Sequence, residues 1–241
     1  MHQAKGKSPR GRAAVIGLTK AQVVAAAIKQ IDEKGLPSFS LRELARSLNV
    51  SPAVIYWHVG GGKEDLFAEI SASITSELSH ELDPSQNWKE RLRAVFLRYR
   101  QLVHIHPNVS PLLGAQMKSN GVANLDWVET VLSALVDAGY EGEALKDAFN
   151  ALIGGLAGFV TMELATAPTE TQDEWEDLFA RRVAGIDPKL YPITHSVLPT
   201  VTNRIFVLRW QNGVRIPYDS SFELLLDLLI EGLDMRARKT T

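Results

Sequence analysis

Three adjacent side chains, Tyr56, Trp57 and His58, form the strongest recognition pattern in the chain. They lie in residues 51–62, a segment that begins with Ser-Pro, ends with three glycines and has room for about two helical turns. Neighbouring side chains on a helix point about 100° apart, so the core of one small domain cannot absorb two adjacent large rings. At least one of the rings is therefore predicted to face a partner.

The sequence around these residues carries the start and stop signals of two short helices. Ser40 followed by Glu43 has the spacing of a capping box, which predicts a helix start at the residue after Ser40. Asn49 suits the left-handed backbone conformation that ends a helix. Ser51 is predicted to cap the second helix, and Pro52 suits its first position, where no amide hydrogen is needed.

Another helix is predicted upstream, where Thr19 and Gln22 form a second capping box and Gly35 ends the apolar repeat. Three short helices in this order, with the last two at a sharp angle, form a helix-turn-helix module. The final helix of such a module enters the major groove of DNA. Double-stranded DNA is therefore the predicted partner of the exposed rings.

The positions of the apolar residues in the third helix of this module separate an inner face from an outer face. Ile55 and Val59 are four residues apart and are expected to face the core together with Val50. The outer face contains no Arg, Asn or Gln, the residue types that make bidentate contacts with bases. Direct readout is therefore expected to depend on apolar contacts between Ala53, Val54 or Trp57 and the methyl groups of thymine.

Phosphate contacts are expected at the helix starts, because helix N-termini bind anions. Ser40 and Arg42 lie at one such start, and Lys63 lies at the next. For Tyr56 and Trp57 the alternative is that each ring packs against its own domain. The complete predicted DNA-binding set is Ser40, Arg42, Ser51, Pro52, Ala53, Val54, Tyr56, Trp57, His58 and Lys63.

Residues 18–70, which include the run SLRELARSLNVSPAVIYWHV, resemble the DNA-binding domain of the TetR family of transcriptional regulators. HPNVSPLL at residues 106–113 and FELLLDLLIEGLDMRAR at residues 222–238 resemble the regulatory domain of that family more loosely. The resemblance implies a repressor with an N-terminal three-helix helix-turn-helix domain and a C-terminal helical ligand-binding and dimerisation domain. It also implies that Tyr56 and His58 contact phosphates.

Charge is distributed unevenly along the 241 residues. Residues 1–64 contain ten Lys/Arg and four Asp/Glu, whereas the remaining 177 residues contain 16 and 24. A basic head on an acidic body is expected when only one end of a protein contacts phosphates. Residues 1–17 are predicted to be a disordered basic arm, which either follows the DNA or is a merely solvated tail.

The fold class predicted from the whole chain is all-α, because helical periodicity recurs and no strand pattern is convincing. The predicted domains are a helix-turn-helix domain at residues 18–64 and a helical effector-binding and dimerisation domain at residues 65–241. Within the second domain, residues 166–200 are rich in Pro and Thr, and they are expected to be mostly loop with one helix near residues 174–183. Residues 200–210 are ambiguous between helix and strand.

Two segments of the body have the composition of a subunit interface. Gly154 and Gly158 lie one turn apart in a predicted helix, where glycine costs up to about 1 kcal/mol relative to alanine, and they would allow another helix to approach closely. The last helix is apolar on most sides, so it is either central in a monomeric core or shared between subunits. The resemblance implies a homodimer. The predicted interface residues are Gly154, Gly158, Phe222, Leu225, Leu226 and Leu229.

A small-molecule effector site is predicted inside the body, where large apolar side chains are accompanied by a few polar ones. The candidate lining residues are Tyr99, His106, Gln116, Trp127, Asn150, Met162 and Trp175. The expected ligand is mostly apolar and aromatic or polycyclic. Residues 167–199 are expected to form a loop that covers the site.

Enzymatic and metal-binding functions receive no support from the sequence. His104 and His106 are two residues apart in a helical segment, so their side chains point to different faces and no metal site is predicted. The glycines before Lys63 lack the preceding strand and the following Ser/Thr of a phosphate-binding loop. No cofactor is predicted. The remaining alternative function is a structural or protein-interaction module with a helix-turn-helix head and no effector.

Cellular location is expected to be cytoplasmic. No run of 18 or more apolar residues is present, so no membrane partner is predicted, and the N-terminus lacks the apolar region of a secretory signal. The chain contains no cysteine, which excludes disulfides and thiol chemistry.

Overall fold

The computed structural model describes residues 17–78, 83, 85–114, 125–166 and 172–240. Over these residues the chain forms α-helices and short 3₁₀ turns and no strand, which confirms the all-α prediction. No helix within them is long and apolar enough to cross a membrane. The predicted basic arm lies outside the described residues except for its last residue.

The chain folds into two compact units, and residues 17–78, 111–114 and 125–127 belong to the first. Its helices are α1 (Lys20–Lys34), α2 (Leu41–Ser47), α3 (Pro52–Val59) and α4 (Lys63–Thr75). The domain boundary predicted after residue 64 falls at the start of α4. The assignment of DNA binding to the residues before it, and of effector binding and dimerisation to those after it, remains a prediction.

The core of the first unit is formed where α1 packs against α2, α3 and α4. The side chains of Ile31, Leu44, Ile55, Leu66 and Ile70 are fully buried there. Each buried aliphatic side chain of this size contributes roughly 1.5–3 kcal/mol to stability. The core therefore fixes the position of α3, which supplies only two buried residues of its own.

The second unit contains residues 83, 85–110, 128–166 and 172–240. The helices from residue 88 onward are α5 (Trp88–Ile105), α6 (Ser110–Gly114), α7 (Asp126–Asp137), α8 (Gly142–Glu163), α9 (Gln172–Ala184), α10 (Pro192–Val201) and α11 (Asp219–Thr240). All of them belong to the second unit except residues 111–114 of α6 and residues 126–127 of α7. Helices α5, α8 and α11 pack against one another. Leu92, Leu156 and Phe222, one from each of these helices, are fully buried in their common core.

A buried ion-pair network connects α5, α8 and the start of α11. The carboxylate of Glu163, which has no exposed surface, accepts hydrogen bonds from Arg100 Nε at 3.0 Å and Arg100 Nη2 at 2.7 Å. It also accepts one from the backbone N–H of Tyr218 at 2.9 Å, and His104 Nε2 lies 3.2 Å away. Burial raises the pKa of Glu163, but the hydrogen bonds from Arg100, His104 and Tyr218 lower it to about 2. The network therefore depends on an ionised carboxylate.

Residues 166–200, which were predicted to be mostly loop, contain more helix than expected. Helix α9 confirms the helix expected near residues 174–183, whereas α10 was not predicted. Pro192 occupies the first turn of α10, where proline is favourable, but Pro199 lies inside the helix and weakens its signal in the sequence. No residue of α10 is buried within the chain.

Residues 202–210, which follow α10, form neither a helix nor a strand. Asn203 adopts a left-handed backbone conformation with φ 57°, and its side-chain Oδ1 accepts the backbone N–H groups of Trp210 at 2.9 Å and Gln211 at 3.2 Å. One asparagine side chain thus closes the turn. This side-chain bond explains why periodicity gave an ambiguous reading of the segment.

Candidate nucleic-acid interface

The turn between α2 and α3 has the geometry that the sequence predicted. Asn49 is left-handed with φ 55°, and the backbone N–H of Val50 donates to the carbonyl of Ala45 at 2.9 Å. Pro52 occupies the first position of α3, and Gly60 ends the helix with φ 85°. Together these residues fix the start, length and direction of α3.

One predicted detail of this turn is wrong. Ser51 stands at the N-cap position of α3 with an extended backbone, but its side chain makes no capping hydrogen bond. Its exposed hydroxyl is left for solvent or for a DNA phosphate. The start of α2 follows the prediction more closely, since Ser40 Oγ accepts the backbone N–H of Glu43 at 3.4 Å. The carboxylate of Glu43 instead pairs with Lys34 Nζ at 2.7 Å.

The two faces of α3 separate as expected. Ile55 has no exposed surface and Val59 is 6% exposed, so both belong to the core. On the opposite side Trp57 is 75% exposed and Tyr56 is 37% exposed, while Ala53 is also exposed and Val54 is half-buried. The outer face therefore presents two aromatic side chains to the surroundings, and Trp57 does not pack into its own domain.

The ring of Trp57 is held at its edge by His58. Their ring centroids are 4.8 Å apart with an interplanar angle of 77°, an edge-to-face arrangement. His58 Nε2 is buried and has no hydrogen-bond partner among the described residues. The rest of the His58 side chain is half-buried at the margin of the outer face.

Two basic side chains lie at the starts of the helices that precede and follow α3. Arg42 is exposed in the first turn of α2. Lys63 is exposed at the start of α4, and its Nζ lies 5.1 Å from the ring centroid of Phe67 and 5.6 Å from that of Phe39. The adjacent backbone N–H of Gly62 donates to Asp65 Oδ2 at 2.6 Å. Because the protein's own carboxylate already satisfies this amide, the phosphate contact proposed here depends on the Lys63 ammonium itself.

Two of the predicted effector residues, Asn150 and Met162, lie too far apart to contact one small ligand. Tyr99 lies on α5, and burial raises the pKa of its hydroxyl to about 12. His106 directly follows the last residue of the same helix. Asn150 and Met162 are exposed on α8, where a separation of 12 residues corresponds to about 18 Å, farther than a ligand of one or two rings extends. Trp127 is half-buried in the first turn of α7.

Gln116 and Trp175 are the two remaining candidates of the effector set. Gln116 lies outside the described residues. Trp175 lines a cavity of about 310 Å³ in the second unit. The neighbours of Trp175 in that cavity, chiefly Phe179, Phe206, Arg209 and Trp210, were not predicted. Phe179 lies on α9, whereas Phe206, Arg209 and Trp210 lie in the irregular segment after α10. The sequence of that irregular segment carried no periodic signal.

The predicted interface residues divide into two groups. Phe222 and Leu226 are fully buried in the core of the subunit itself, and the ring centroid of Phe222 lies 5.5 Å from that of Phe159. They are therefore not available to a partner, which corrects the prediction for these two residues. The cause is the phase of α11, which turns this face toward α5 and α8.

The outward face of α8 and α11 is more consistent with an interface. Apart from the neighbouring backbone of α8 itself, no atom of the described residues lies within 4 Å of the position where a Cβ of Gly154 or Gly158 would be. Leu225 and Leu229 are half-buried, while Leu228 is 60% exposed. A groove of about 470 Å³ runs between the two helices and is lined mainly by Ala and Leu residues.

Comparisons with known proteins agree with this architecture. Residues 23–70 match the model of bacterial regulatory proteins of the tetR family, and residues 82–237 match the model of the tetracyclin repressor-like C-terminal domain. The chain therefore belongs to the TetR family and is a DNA-binding transcriptional regulator, which confirms the resemblance and the function expected from the sequence.

Individual relatives are distant. The chain is 23% identical over 236 residues to the tetracycline repressor protein class C of Escherichia coli, a match that covers 93% of this chain and 94% of that protein. It is 26% identical over 146 residues to an HTH-type transcriptional regulator of Saccharopolyspora erythraea, covering 61% of each. The crystal structure of apo ActR from Streptomyces coelicolor has a similar fold, with a TM-score of 0.69 and 20% identity over 93% of this chain and 98% of that chain.

Proposed function

We propose that the protein is a repressor that binds a palindromic operator as a homodimer and is released from it by a small-molecule effector. The observation that carries the DNA-binding part is the outer face of α3, where Trp57 is 75% exposed on a helix whose other side is fixed by the buried Ile55. A protein that binds chromosomal operators acts in the cytoplasm, which is the location proposed here.

Dimerisation is supported by the small-residue face of α8 beside the exposed leucines of α11. One α3 helix reads only a few base pairs, whereas two helices related by a twofold axis read half-sites about 34–36 Å apart or a multiple of that distance. With Phe222 and Leu226 assigned to the subunit core, the proposed interface residues are Gly154, Gly158, Leu225, Leu228 and Leu229. The alternative is that the apolar face of α11 only completes a monomeric core.

Release by an effector requires a difference in affinity between two conformations. A ligand shifts the equilibrium only if it binds the conformation that does not fit the operator more tightly than the one that does. We propose that this ligand binds in the second unit, which contains the cavity beside Trp175.

Selection of bound sequences from random double-stranded DNA tests the proposed function. We expect enrichment of one palindrome, and the affinity for it should fall steeply as the salt concentration rises. A matched control is the same selection with Trp57→Ala protein, which should fold normally and enrich the palindrome poorly. Recovery of no enriched palindrome by the wild-type protein would contradict the proposal and favour the protein-interaction module.

A further inference from the structure

The cavity beside Trp175 is walled by aromatic side chains from two parts of the second unit. Trp175 and Phe179 lie on successive turns of α9, with ring centroids 4.9 Å apart. The ring centroid of Trp210 lies 6.5 Å from that of Phe179, and Phe206 contributes a further wall. All four side chains are half-buried, so part of each ring is available to a ligand. A cavity of about 310 Å³ with such walls suits a ligand with one or two fused rings.

Charged groups in the same lining favour an anion. Arg215 Nη1 and Glu176 Oε1 form an ion pair at 3.3 Å and so balance each other. Arg209 pairs with no carboxylate among the described residues. Its guanidinium instead donates to the backbone carbonyl of Glu163 at 2.9 Å and to that of Met162. Since guanidinium groups match the planar geometry of carboxylates, Arg209 is the natural partner of a ligand carboxylate.

We propose that this cavity binds a small planar aromatic carboxylate. Its ring system packs against Trp175, Phe179 and Trp210, and its carboxylate accepts hydrogen bonds from Arg209. Gln211 and Asn212, which also line the cavity, supply amide groups that orient polar substituents of the ligand. The assignment of this ligand as an effector rests on the proposed function, whereas the binding site itself does not.

Arg209 also connects the cavity to the end of α8. Its two carbonyl partners belong to the last residues of that helix, and the backbone N–H of Gly213 donates to the same carbonyl of Glu163 at 2.7 Å. A carboxylate that draws Arg209 toward the cavity therefore competes with the last carbonyl groups of α8. Because α8 carries the small-residue face of the proposed dimer, the bound and free states differ at the helix that positions the partner subunit.

Calorimetric titration of the full-length protein with 2-naphthoate and with its neutral counterpart 2-naphthalenemethanol tests the site. The two probes share one ring system, so the difference in affinity isolates the carboxylate. We expect the carboxylate to bind about tenfold or more tightly than the alcohol, because a hydrogen bond to a charged group has that strength. Quenching of tryptophan fluorescence should accompany binding, since two tryptophans line the cavity.

Variants separate the charge from the rings. Arg209→Gln should abolish the preference for the carboxylate, whereas Arg204→Gln, at an exposed arginine of the same segment, should preserve it. Phe179→Ala should weaken both probes to a similar extent. Thermal unfolding establishes that each variant is folded, and the comparison of the two probes on the wild-type protein requires no variant at all.

The outcomes that overturn the proposal are distinct from those that overturn the proposed function. Equal affinities for the two probes, no binding, or an unchanged carboxylate preference in folded Arg209→Gln would each exclude the site. Tight carboxylate binding with unchanged operator affinity would refute the effector assignment. Failure of the protein to select any DNA would refute the proposed function while the calorimetric result stands.

Discussion

Trp57→Ala is expected to weaken operator binding strongly while leaving the fold intact. Trp57 is 75% exposed, and its contact within the chain is with the ring of His58. A substitution at such an exposed position usually changes the free energy of unfolding by no more than about 0.5 kcal/mol. Loss of the contacts to one base pair typically costs about 1–3 kcal/mol. In a dimer the loss occurs in both half-sites, so the operator affinity should fall by about thirtyfold at the lower end of that range.

Fluorescence anisotropy with the selected operator, at one fixed salt concentration, measures the effect. Tyr191→Ala is a matched control, because it removes an aromatic side chain that is 58% exposed in the second unit and should leave DNA binding unchanged. Ile55→Ala is a contrasting variant, since it removes a fully buried side chain and should lower the stability of the first unit by about 2–5 kcal/mol. Operator affinity of Trp57→Ala equal to that of the wild type would refute the assignment of α3 to the groove.

Three further predictions follow from the same structure. Arg42→Ala should weaken binding to all DNA sequences alike and reduce the slope of log K against log salt by about one unit. Titrations at several salt concentrations measure this slope. An effect confined to the operator would contradict a phosphate contact. Gly158→Leu should convert the dimer to monomer in sedimentation velocity without unfolding the chain, because a Cβ at this position meets no described atom outside the neighbouring backbone of α8. An intact dimer would exclude this face. The pKa of Glu163 is lowered from 4.5 to about 2, so its contribution of roughly 3 kcal/mol is complete above about pH 4.5 and is lost as the pH falls toward 2. Urea unfolding between these pH values should show a loss of stability in the wild type that is much smaller in Glu163→Gln, and identical pH profiles would count against the buried carboxylate as its source.

Local signals in the sequence were sufficient for the recognition helix. The left-handed Asn49, the proline that opens α3 and the glycine that closes it act on their own backbone, so they determine the helix limits without reference to distant residues. The alternation of Ile55 and Val59 with the aromatic residues then decides which side of an eight-residue helix is buried. For this reason the all-α class, the helix-turn-helix module and the exposure of Trp57 could be predicted from the sequence.

Contacts between distant segments decided the rest. The apolar residues around α11 cannot show by themselves which of them meet the core of the subunit, and the packing against α5 and α8 buried Phe222 and Leu226 while it left Leu228 exposed. Likewise, Asn203 closes a turn by bonding to residues seven and eight positions later, and this turn brings Arg209 and Trp210 to the cavity of Trp175. A helix limit is a local property of the backbone, whereas a cavity or an interface depends on tertiary packing, and therefore only the folded structure could reveal it.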